Sequence, residues 1–553
     1  MIGAPAPLRD RLLVVVAALA LLAYVPGFWW GAPTATGPDR VQSWGTDDET
    51  PLGPLAEMHN IIQPKPDRNL GYPLGYAFMA TTAYAPYLLW LKGTGQLHGM
   101  SATYPFGLTD PVATLRTLSR IAHAVTVLLA VLAVLGACDA ARTLWGNGAG
   151  AAAAAFTLTL YPMFYYGRTG NVDVPMLAFF ALALAAFARA LVHGFTARRV
   201  IWLGIFTGLA LGTKEGVVGT LAPAGVATLV LGWRSGGWRI PALAALAFVL
   251  ALGVASGLFV DPHRWVDHVL FIAGRIHDLP SAQALPTAFP FTAAGHLAFV
   301  TAITRRLVAA MTVPGLLLGV AGAIWASLRD RRWTLIALMV PAHLALAFFL
   351  QRAAYMRYLL PVALVLALFA GWALVTASKS RVAGARVAVV LVAGLTLAAQ
   401  VMNGASLTYE MIRDSRHAAG RWIQAHVRQG DRIEYFGASQ KLPPLPAGVQ
   451  TARAAPYYGM WTLHDTSAAA AAAIVRRWAA DPPALVLVIP DHSSQLARPY
   501  DASVPPSLFD SLVAGRAGLR LAALVQTPPL IPWFRRPDLD YPTVNPPIRI
   551  FAR

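Results

Sequence analysis

The sequence has little of two things that soluble enzymes usually contain, cysteine and charge. Cys138 is the only cysteine in 553 residues, which excludes a disulfide framework, a CxxC redox site and a cysteine-based zinc site. Charged residues make up 13% of the chain, against about 25% in an average soluble domain, and 56% of the residues are hydrophobic. This composition excludes a disordered chain and a coiled coil, and it predicts a polytopic membrane protein.

Common motifs of nucleotide-driven and hydrolytic enzymes are also absent from the sequence. There is no G-x-x-x-x-G-K-[ST], no G-x-G-x-x-G after a strand, no H-E-x-x-H and no G-x-S-x-G. ATP-driven transport and serine hydrolysis are therefore not expected. The net charge of +18 does not predict nucleic-acid binding, because most of the chain has no solvated basic face.

Apolar runs of membrane-spanning length recur up to about residue 402 and predict about eleven transmembrane helices. Leu12–Tyr24 is followed by bulky residues rather than the small ones of a cleavage site, so we interpret it as the first span and not as a signal peptide. The predicted spans are roughly 11–30, 117–138, 148–166, 173–192, 200–213, 216–232, 240–260, 309–328, 333–350, 358–377 and 386–402.

The distribution of basic residues predicts the orientation of these spans. If Tyr72–Leu91 does not cross, every strongly basic short loop falls on the side of the N-terminus, as the positive-inside rule requires of the cytoplasmic side. We therefore interpret Tyr72–Leu91 as an interfacial or re-entrant helix. Two long loops, about 31–116 and 261–308, and all of residues 403–553 are then predicted to be extracytoplasmic.

Residues 403–553 differ in composition from the rest and contain no predicted span. Helices are predicted at Arg413–Val427 and Ala468–Trp478, and strands at Arg432–Phe436, Leu485–Ile489 and Leu519–Val525. We expect two domains: a transmembrane domain at 1–402, with the long outer loop at 31–116, and a small extracytoplasmic α/β domain at 403–553.

Acidic residues in the first 402 positions are few, 15 against 28 basic ones, and two groups lie at predicted outer membrane boundaries. Asp47, Asp48 and Glu49 follow the first span, and Asp173 begins the fourth. A carboxylate at such a boundary is costly unless it is paired or hydrated. One interpretation is a base that takes a proton from a hydroxyl or amine nucleophile. The alternatives are that Thr46 and Asp47 cap a helix through Met58, and that Asp173 caps its own helix with Arg168 as salt-bridge partner.

Cations accumulate on the same predicted side and are candidates for binding a phosphate at headgroup level. Snorkelling of long basic side chains to the interface is the alternative for each of them. The candidates are Lys214 in Leu211–Gly216, His263 and Arg264 in Asp261–Trp265, and Arg357 in Tyr355–Pro361.

The order of these elements resembles the polytopic glycosyltransferases of the GT-C class, in particular the protein O-mannosyltransferase and lipid A aminoarabinose transferase group. The resemblance extends over roughly residues 10–400. It is carried by Asp48-Glu49 after the first span, Leu115–Arg120, Tyr161–Asp173, Gly208–Lys214 and Arg357–Pro361.

This resemblance implies an inverting transferase that moves a sugar from a polyprenyl-phosphate donor to a lipid, glycan or protein acceptor on the outer face of the cell membrane. Asp48 would be the base, Glu49 would support it, and Asp173 would position the acceptor or the sugar. The implied ligands of the donor phosphate are Arg357, which is the best candidate, together with Lys214, His263, Arg264 and Arg168; Tyr358 lies in the same motif as Arg357.

Two departures from the family pattern affect these assignments. Asp47 precedes the usual Asp-Glu pair, so the base is either Asp47 or Asp48. The lysine-proline element of the aminoarabinose enzymes is matched only loosely by Lys65-Pro66, which weighs against a lipid A acceptor. Some relatives use a divalent cation and others do not, and Asp48 and Asp173 are the residues that could hold one.

Two other classes of function remain open. A transporter or flippase for a lipid-linked substrate predicts ionisable residues in mid-span, and these are scarce here. A non-catalytic membrane scaffold predicts that the outer domain binds protein partners.

Overall fold

The structure is a computed structural model that describes residues 6–65, 68–274, 289–457, 465–490, 503–537, 541 and 543–553. Helices dominate the first 412 residues, as the long apolar runs require. The helices are α1 Ala6–Tyr24, α2 Leu52–Ile62, α3 Gly75–Gly93, α4 Pro111–Trp145, α5 Asn147–Leu158, α6 Met163–Tyr166, α7 Asp173–His193, α8 Ala197–Thr213, α9 Val218–Gly236, α10 Arg239–Ser256, α11 Pro262–Ile272, α12 Ala293–Met311, α13 Val313–Arg329, α14 Arg331–Ala337, α15 Met339–Leu346, α16 Leu360–Ala377, α17 Ala383–Ile412, α18 Ser415–His426, α19 Ala468–Ala480 and α20 Pro506–Val513.

Within the described residues, seven helical segments are long and apolar enough to cross a membrane, or eight if the bent pair α12–α13 forms one span. The prediction of a helical membrane protein is thus confirmed. The predicted number of eleven spans is not confirmed. Several predicted spans are helical but short: the one at 148–166 is divided into α5 and α6, and α8 has 17 residues. The helix at Tyr72–Leu91, predicted not to cross, is α3, and it is outside these seven.

The chain divides into two compact units. Unit 1 comprises Met1–Phe28, Gly53–Ala85 and Ile121–Gly404, and unit 2 comprises Trp29–Leu52, Pro86–Arg120 and Ala405–Arg553. Unit 2 therefore contains two pieces of the predicted outer loop 31–116 together with the C-terminal segment. The division predicted from composition, 1–402 and 403–553, consists of two contiguous segments. Unit 2 instead combines three segments that are separated along the chain.

Small residues allow the helices of unit 1 to pack closely, as is typical of membrane helices. Gly204, Gly208 and Gly212 form a stripe on α8 that faces α10, and a Cβ added at Gly208 would lie 2.5 Å from the carbonyl oxygen of Phe248. Gly371 of α16 packs equally closely against Ala153 of α5. Larger side chains at these positions would force the helices apart.

Unit 2 contains a five-stranded sheet of order β2-β1-β3-β5-β4. The strands are β1 Arg432–Tyr435, β2 Gln450–Arg453, β3 Leu485–Val488, β4 Arg520–Val525 and β5 Ile548–Ala552. β1, β2 and β3 are parallel, and β5 runs antiparallel to both β3 and β4. The predicted elements at 413–427, 432–436, 468–478, 485–489 and 519–525 are confirmed as α18, β1, α19, β3 and β4, whereas β2, β5 and α20 were not predicted.

The two faces of this sheet carry separate hydrophobic cores. Val486 and Val488 pack with Trp478 of α19 on one face. Leu485 and Leu487 pack with Ile423 of α18 on the other. Consecutive residues of β3 thus point to opposite faces, and helices cover both, as expected for a buried strand.

Candidate functional site

The three acidic residues after the first helix differ sharply in exposure. Asp48 is 5% exposed, Asp47 is half-buried and Glu49 is exposed. Asp47 adopts a left-handed backbone conformation with φ of 63°, which aspartate tolerates better than most residues. The sharp turn at Asp47 is followed by the buried Asp48, so the two candidates for the base have different environments.

Hydroxyl and amide groups of unit 2 donate hydrogen bonds to Asp48. Ser43 Oγ donates to Oδ2 at 3.0 Å, and Oδ1 accepts from Thr50 Oγ1 at 2.6 Å and from the Thr50 amide at 3.2 Å. Thr50 Oγ1 also lies 3.3 Å from Ser119 Oγ on α4. These contacts fix the orientation of the carboxylate, which is what a general base requires.

The prediction that Thr46 and Asp47 cap a helix through Met58 is wrong. The helix in question, α2, begins only at Leu52. Thr50 precedes Pro51, and a residue before proline is disfavoured in helical conformation, which works against a helix that runs back to Asp47. The acidic residues therefore lie in a non-helical loop.

Asp173 of unit 1 forms a buried ion pair with Lys214. Lys214 Nζ lies 2.5 Å from Asp173 Oδ1, and their side chains are 6% and 1% exposed. Lys214 is an extended residue between the end of α8 and the short helix that leads into α9, so the predicted break at this position is confirmed. Both residues were singled out in the sequence, but their pairing was not predicted.

The alternative interpretation of Asp173 as the cap of its own helix is also wrong. The side-chain oxygen of Asn171 accepts the amide N–H groups of Asp173 and Val174 at 3.0 and 3.1 Å. The Asp173 side chain is consequently available for Lys214. Arg168, its expected partner, is fully buried and donates to the carbonyls of Pro26 and Ala23.

Two tyrosine rings flank the ammonium group of Lys214. Its Nζ lies 4.6 Å from the ring centre of Tyr358 and 5.3 Å from that of Tyr72. The guanidinium of Arg357 lies 5.1 Å from the same Tyr358 ring. Two cations thus converge on one aromatic ring, in a region that also holds the Asp173 carboxylate.

Arg264 belongs to a second network that joins three parts of unit 1. Its Nε donates to Glu57 Oε2 of α2 at 3.0 Å, and its Nη2 donates to the carbonyls of Asn69 and Tyr72. Burial raises the pKa of the Glu57 carboxyl and lowers the pKa of the Arg264 guanidinium, and their ion pair opposes both shifts. Arg264 therefore positions the backbone of Tyr72, which in turn flanks Lys214.

Asp261 anchors the start of α11 next to this network. Its carboxylate accepts the amide of Arg264 at 3.0 Å and pairs with Arg68 at 2.5 Å. Burial would raise the pKa of the Asp261 carboxyl, but these hydrogen bonds outweigh burial and hold the pKa below its ordinary value. On the same helix, His268 Nδ1 donates to the carbonyl of Leu70.

The remaining predicted residues differ in accessibility. His263 on α11 and Lys65 after α2 are exposed, while Arg357 is 9% exposed. Pro66 of the Lys65-Pro66 element lies outside the described residues. The sequence did not single out Tyr72, Glu57, Ser43 or Thr50 for these roles; the run of tyrosines in Tyr72–Leu91 was interpreted only as interfacial.

Asp173, one of the two residues considered for a divalent cation, does not fit one. The ammonium of Lys214 pairs with Asp173 and would repel a metal ion there. In the part of the chain that the structure describes, no group of three or more His, Cys, Asp or Glu side chains could hold a metal.

Comparison with known sequences finds a family match in the middle of the predicted transmembrane region. Residues 117–257 match the dolichyl-phosphate-mannose-protein mannosyltransferase family. The matched segment is about a quarter of the chain, contains both Asp173 and Lys214, and confirms the predicted resemblance over that range. No curated protein matches the chain in sequence.

Several solved structures are similar to this chain at low identity. ArnT of Cupriavidus metallidurans, in a structure with bound undecaprenyl phosphate, is 14% identical with a TM-score of 0.46, covering 99% of this chain and 98% of ArnT. The oligosaccharyltransferase of Archaeoglobus fulgidus is 13% identical with a TM-score of 0.45, covering 87% and 69%. The mycobacterial arabinofuranosyltransferase AftD is 16% identical with a TM-score of 0.38, covering 98% of this chain and 40% of AftD.

Proposed function

We propose that this protein is an inverting glycosyltransferase of the cell membrane that uses a polyprenyl-phosphate sugar as donor. The acceptor would be a lipid, glycan or protein on the extracytoplasmic face, where the orientation predicted from basic loops also puts residues 403–553. The observation that carries the proposal is the convergence of Lys214 and Arg357 on the ring of Tyr358, with Lys214 inside the family-matched segment.

This arrangement suits a phosphate that becomes a leaving group. The Lys214 ammonium and the Arg357 guanidinium both lie within about 5 Å of the Tyr358 ring centre, and two cations near one point attract a phosphate anion. Asp173 and the two tyrosines hold the ammonium in place before the substrate arrives, so little reorganisation is needed when negative charge develops on the phosphate. Arg357 adds a planar donor group for phosphate oxygens.

The proposed reaction is a direct displacement at the anomeric carbon. Asp48 takes the proton from the acceptor hydroxyl or amine, and the freed electron pair forms the new bond to the anomeric carbon. The bond between that carbon and the phosphate oxygen breaks, and its electron pair leaves with the polyprenyl phosphate. We assign the base to Asp48 and not to Asp47 because Asp48 is buried and held by three hydrogen bonds.

Replacement of the two neighbouring aspartates tests this assignment. In purified, reconstituted protein given mannosyl- and arabinosyl-phosphoryl polyprenols together with an extract of envelope lipids and glycans as the source of acceptor, we expect Asp48→Asn to lower the rate of polyprenyl phosphate release by about 10²–10⁴-fold. Asp47→Asn is the matched control, and we expect it to retain most of the wild-type rate. A large loss of rate in Asp47→Asn but not in Asp48→Asn would show that Asp47 is the base. Normal rates in both variants would show that neither aspartate is the base.

Mass spectrometry of lipid-linked sugars in a strain lacking the protein identifies the donor. We expect a polyprenyl-phosphate sugar to accumulate and one envelope glycan to be lost, and we expect wild-type protein but not Asp48→Asn to reverse both changes. If Asp48→Asn restored the glycan as well as wild type, a transporter or scaffold role would replace the transferase.

A further inference from the structure

The loop that carries Asp48, residues 29–52, is bound by the C-terminal segment within unit 2. The buried ammonium of Lys441, in a residue that is 6% exposed, donates to the carbonyl of Trp44 at 2.6 Å. Ser439 Oγ, two residues earlier, donates to the carbonyl of Asp39 at 2.7 Å. Side chains of the C-terminal segment thus recognise the backbone of this loop.

A buried ion pair contacts two tryptophans of the same loop, Trp30 and Trp44. Asp414 Oδ2 accepts the indole N–H of Trp30 at 3.0 Å, and its carboxylate pairs with Arg416 at 3.0 Å. The guanidinium of Arg416 lies 4.9 Å from the ring centre of Trp44. Asp414 and Arg416 are 1% and 0% exposed, so breaking the pair would leave a buried charge uncompensated.

The loop contributes a cation of its own to the interface with the C-terminal segment. The buried guanidinium of Arg40 donates to the carbonyl of Pro443 at 2.5 Å. Burial lowers the pKa of Arg40 to about 10, so the group is still charged at neutral pH. Hydrogen bonds to charged groups are stronger than neutral ones, and of the contacts described here only that of Ser439 involves no charged side chain.

These contacts are connected to Asp48 through two adjacent residues of the loop, Trp44 and Ser43. Trp44, which Lys441 and Arg416 hold, is the neighbour of Ser43, and Ser43 Oγ donates to Asp48. Residues 31–50 contain no helix or strand, and ordering such a loop costs about 1–2 kcal/mol of backbone entropy per residue. The buried charged contacts offset that cost at the point where the carboxylate must be oriented.

We propose that Lys441, Asp414 and Arg416 are positioning residues that hold the Asp48 loop in the geometry required for proton transfer. This role rests on the proposed function of Asp48 as the base. It gives the C-terminal segment a part in orienting the base, in addition to any contact with an acceptor.

Hydrogen–deuterium exchange and kinetics on the full-length protein test the proposal together. In Lys441→Met, we expect exchange in residues 43–50 to speed up by about tenfold or more, because a buried carbonyl loses its donor. We expect exchange in β1 and β3 to stay as in wild type. With the same polyprenol donors, kcat should fall about tenfold while the KM for the donor changes less than about twofold. Lys441→Arg should restore most of both properties.

Glu434→Gln provides a matched control in the same unit. Glu434 is a buried acid of β1 that pairs with Arg477 and accepts from Trp478, and both partners lie on α19. We expect this variant to destabilise the sheet without speeding exchange in residues 43–50. Unchanged exchange in Lys441→Met, or an equal fall in kcat per folded molecule in Glu434→Gln, would overturn the proposal. The exchange result does not depend on activity, so wild-type protein that transfers no sugar would refute the proposed function and leave the loop measurement intact.

Discussion

Asp48 and Asp173 are both almost fully buried, but they are stabilised by different kinds of partner. Asp173 pairs with the ammonium of Lys214, whereas hydroxyl and amide groups donate to Asp48. The ion pair fixes the position of the Lys214 ammonium, whereas the hydroxyl and amide donors orient the carboxylate of Asp48. In the proposed reaction, Asp173 accordingly holds Lys214, and Asp48 is the base.

The largest expected effect comes from removing the cation of the buried pair. Lys214→Met leaves the Asp173 carboxylate buried without its ammonium, and we expect a loss of about 3–5 kcal/mol in the free energy of unfolding. Thermal unfolding of the protein in detergent measures this loss. Sugar transfer should fall below detection in the same variant.

A second substitution separates stability from function at this pair. Lys214→Met combined with Asp173→Asn removes both charges, so we expect most of the lost stability to return while transfer stays absent. Recovery of transfer in the double variant would show that the pair is purely structural and that the cation has no part in the reaction.

An intermediate effect is expected at the hydroxyl that orients Asp48. Thr50→Val keeps the shape of the side chain but removes the donor at 2.6 Å from Oδ1, and we expect the transfer rate to fall about tenfold. Thr50→Ser keeps the hydroxyl and should stay near the wild-type rate. Equal rates in the two variants would show that the orientation of Asp48 does not depend on this hydrogen bond.

The smallest effect concerns the pH dependence of Asp261, which lies outside both carboxylate sites. Because the pKa of this carboxyl is lower in the folded protein than in the unfolded chain, its contribution to stability is complete above about pH 4 and is lost as the pH falls further. We therefore expect Asp261→Asn to lower Tm by the same amount at pH 7 and pH 5. The difference from wild type should shrink below about pH 4, and a difference that grew there would contradict the assignment.

Local properties of the sequence predicted much of the fold. Apolar runs located the helices, and the charged Lys214-Glu215 pair located the break between α8 and α9. Alternating strands and helices in residues 413–525 were also predictable. Hydrophobic periodicity does not reveal partners, however. Asp173 and Lys214 are 41 residues apart, and the link between the Asp48 loop and Lys441 spans nearly 400 residues.

Hydrophobic periodicity and composition also fail to distinguish neighbouring residues, as the three acids after the first helix show. Asp47, Asp48 and Glu49 are adjacent, and composition alone could not decide which of them is buried. The left-handed turn at Asp47 and the hydroxyls of Ser43 and Thr50 decide it, and both depend on how the loop packs in unit 2.

The glycine stripe of α8 has a consequence for recognising distant relatives of this protein. Gly204, Gly208 and Gly212 set the register of α8 against α10, and Lys214 follows two residues after the last of them. A bulkier residue in the stripe would displace Lys214 from Asp173 without changing any charge. Three small residues at intervals of four, then a lysine two positions later, form a search pattern that combines packing with chemistry. We expect it to retrieve relatives of this chain that overall identity would miss.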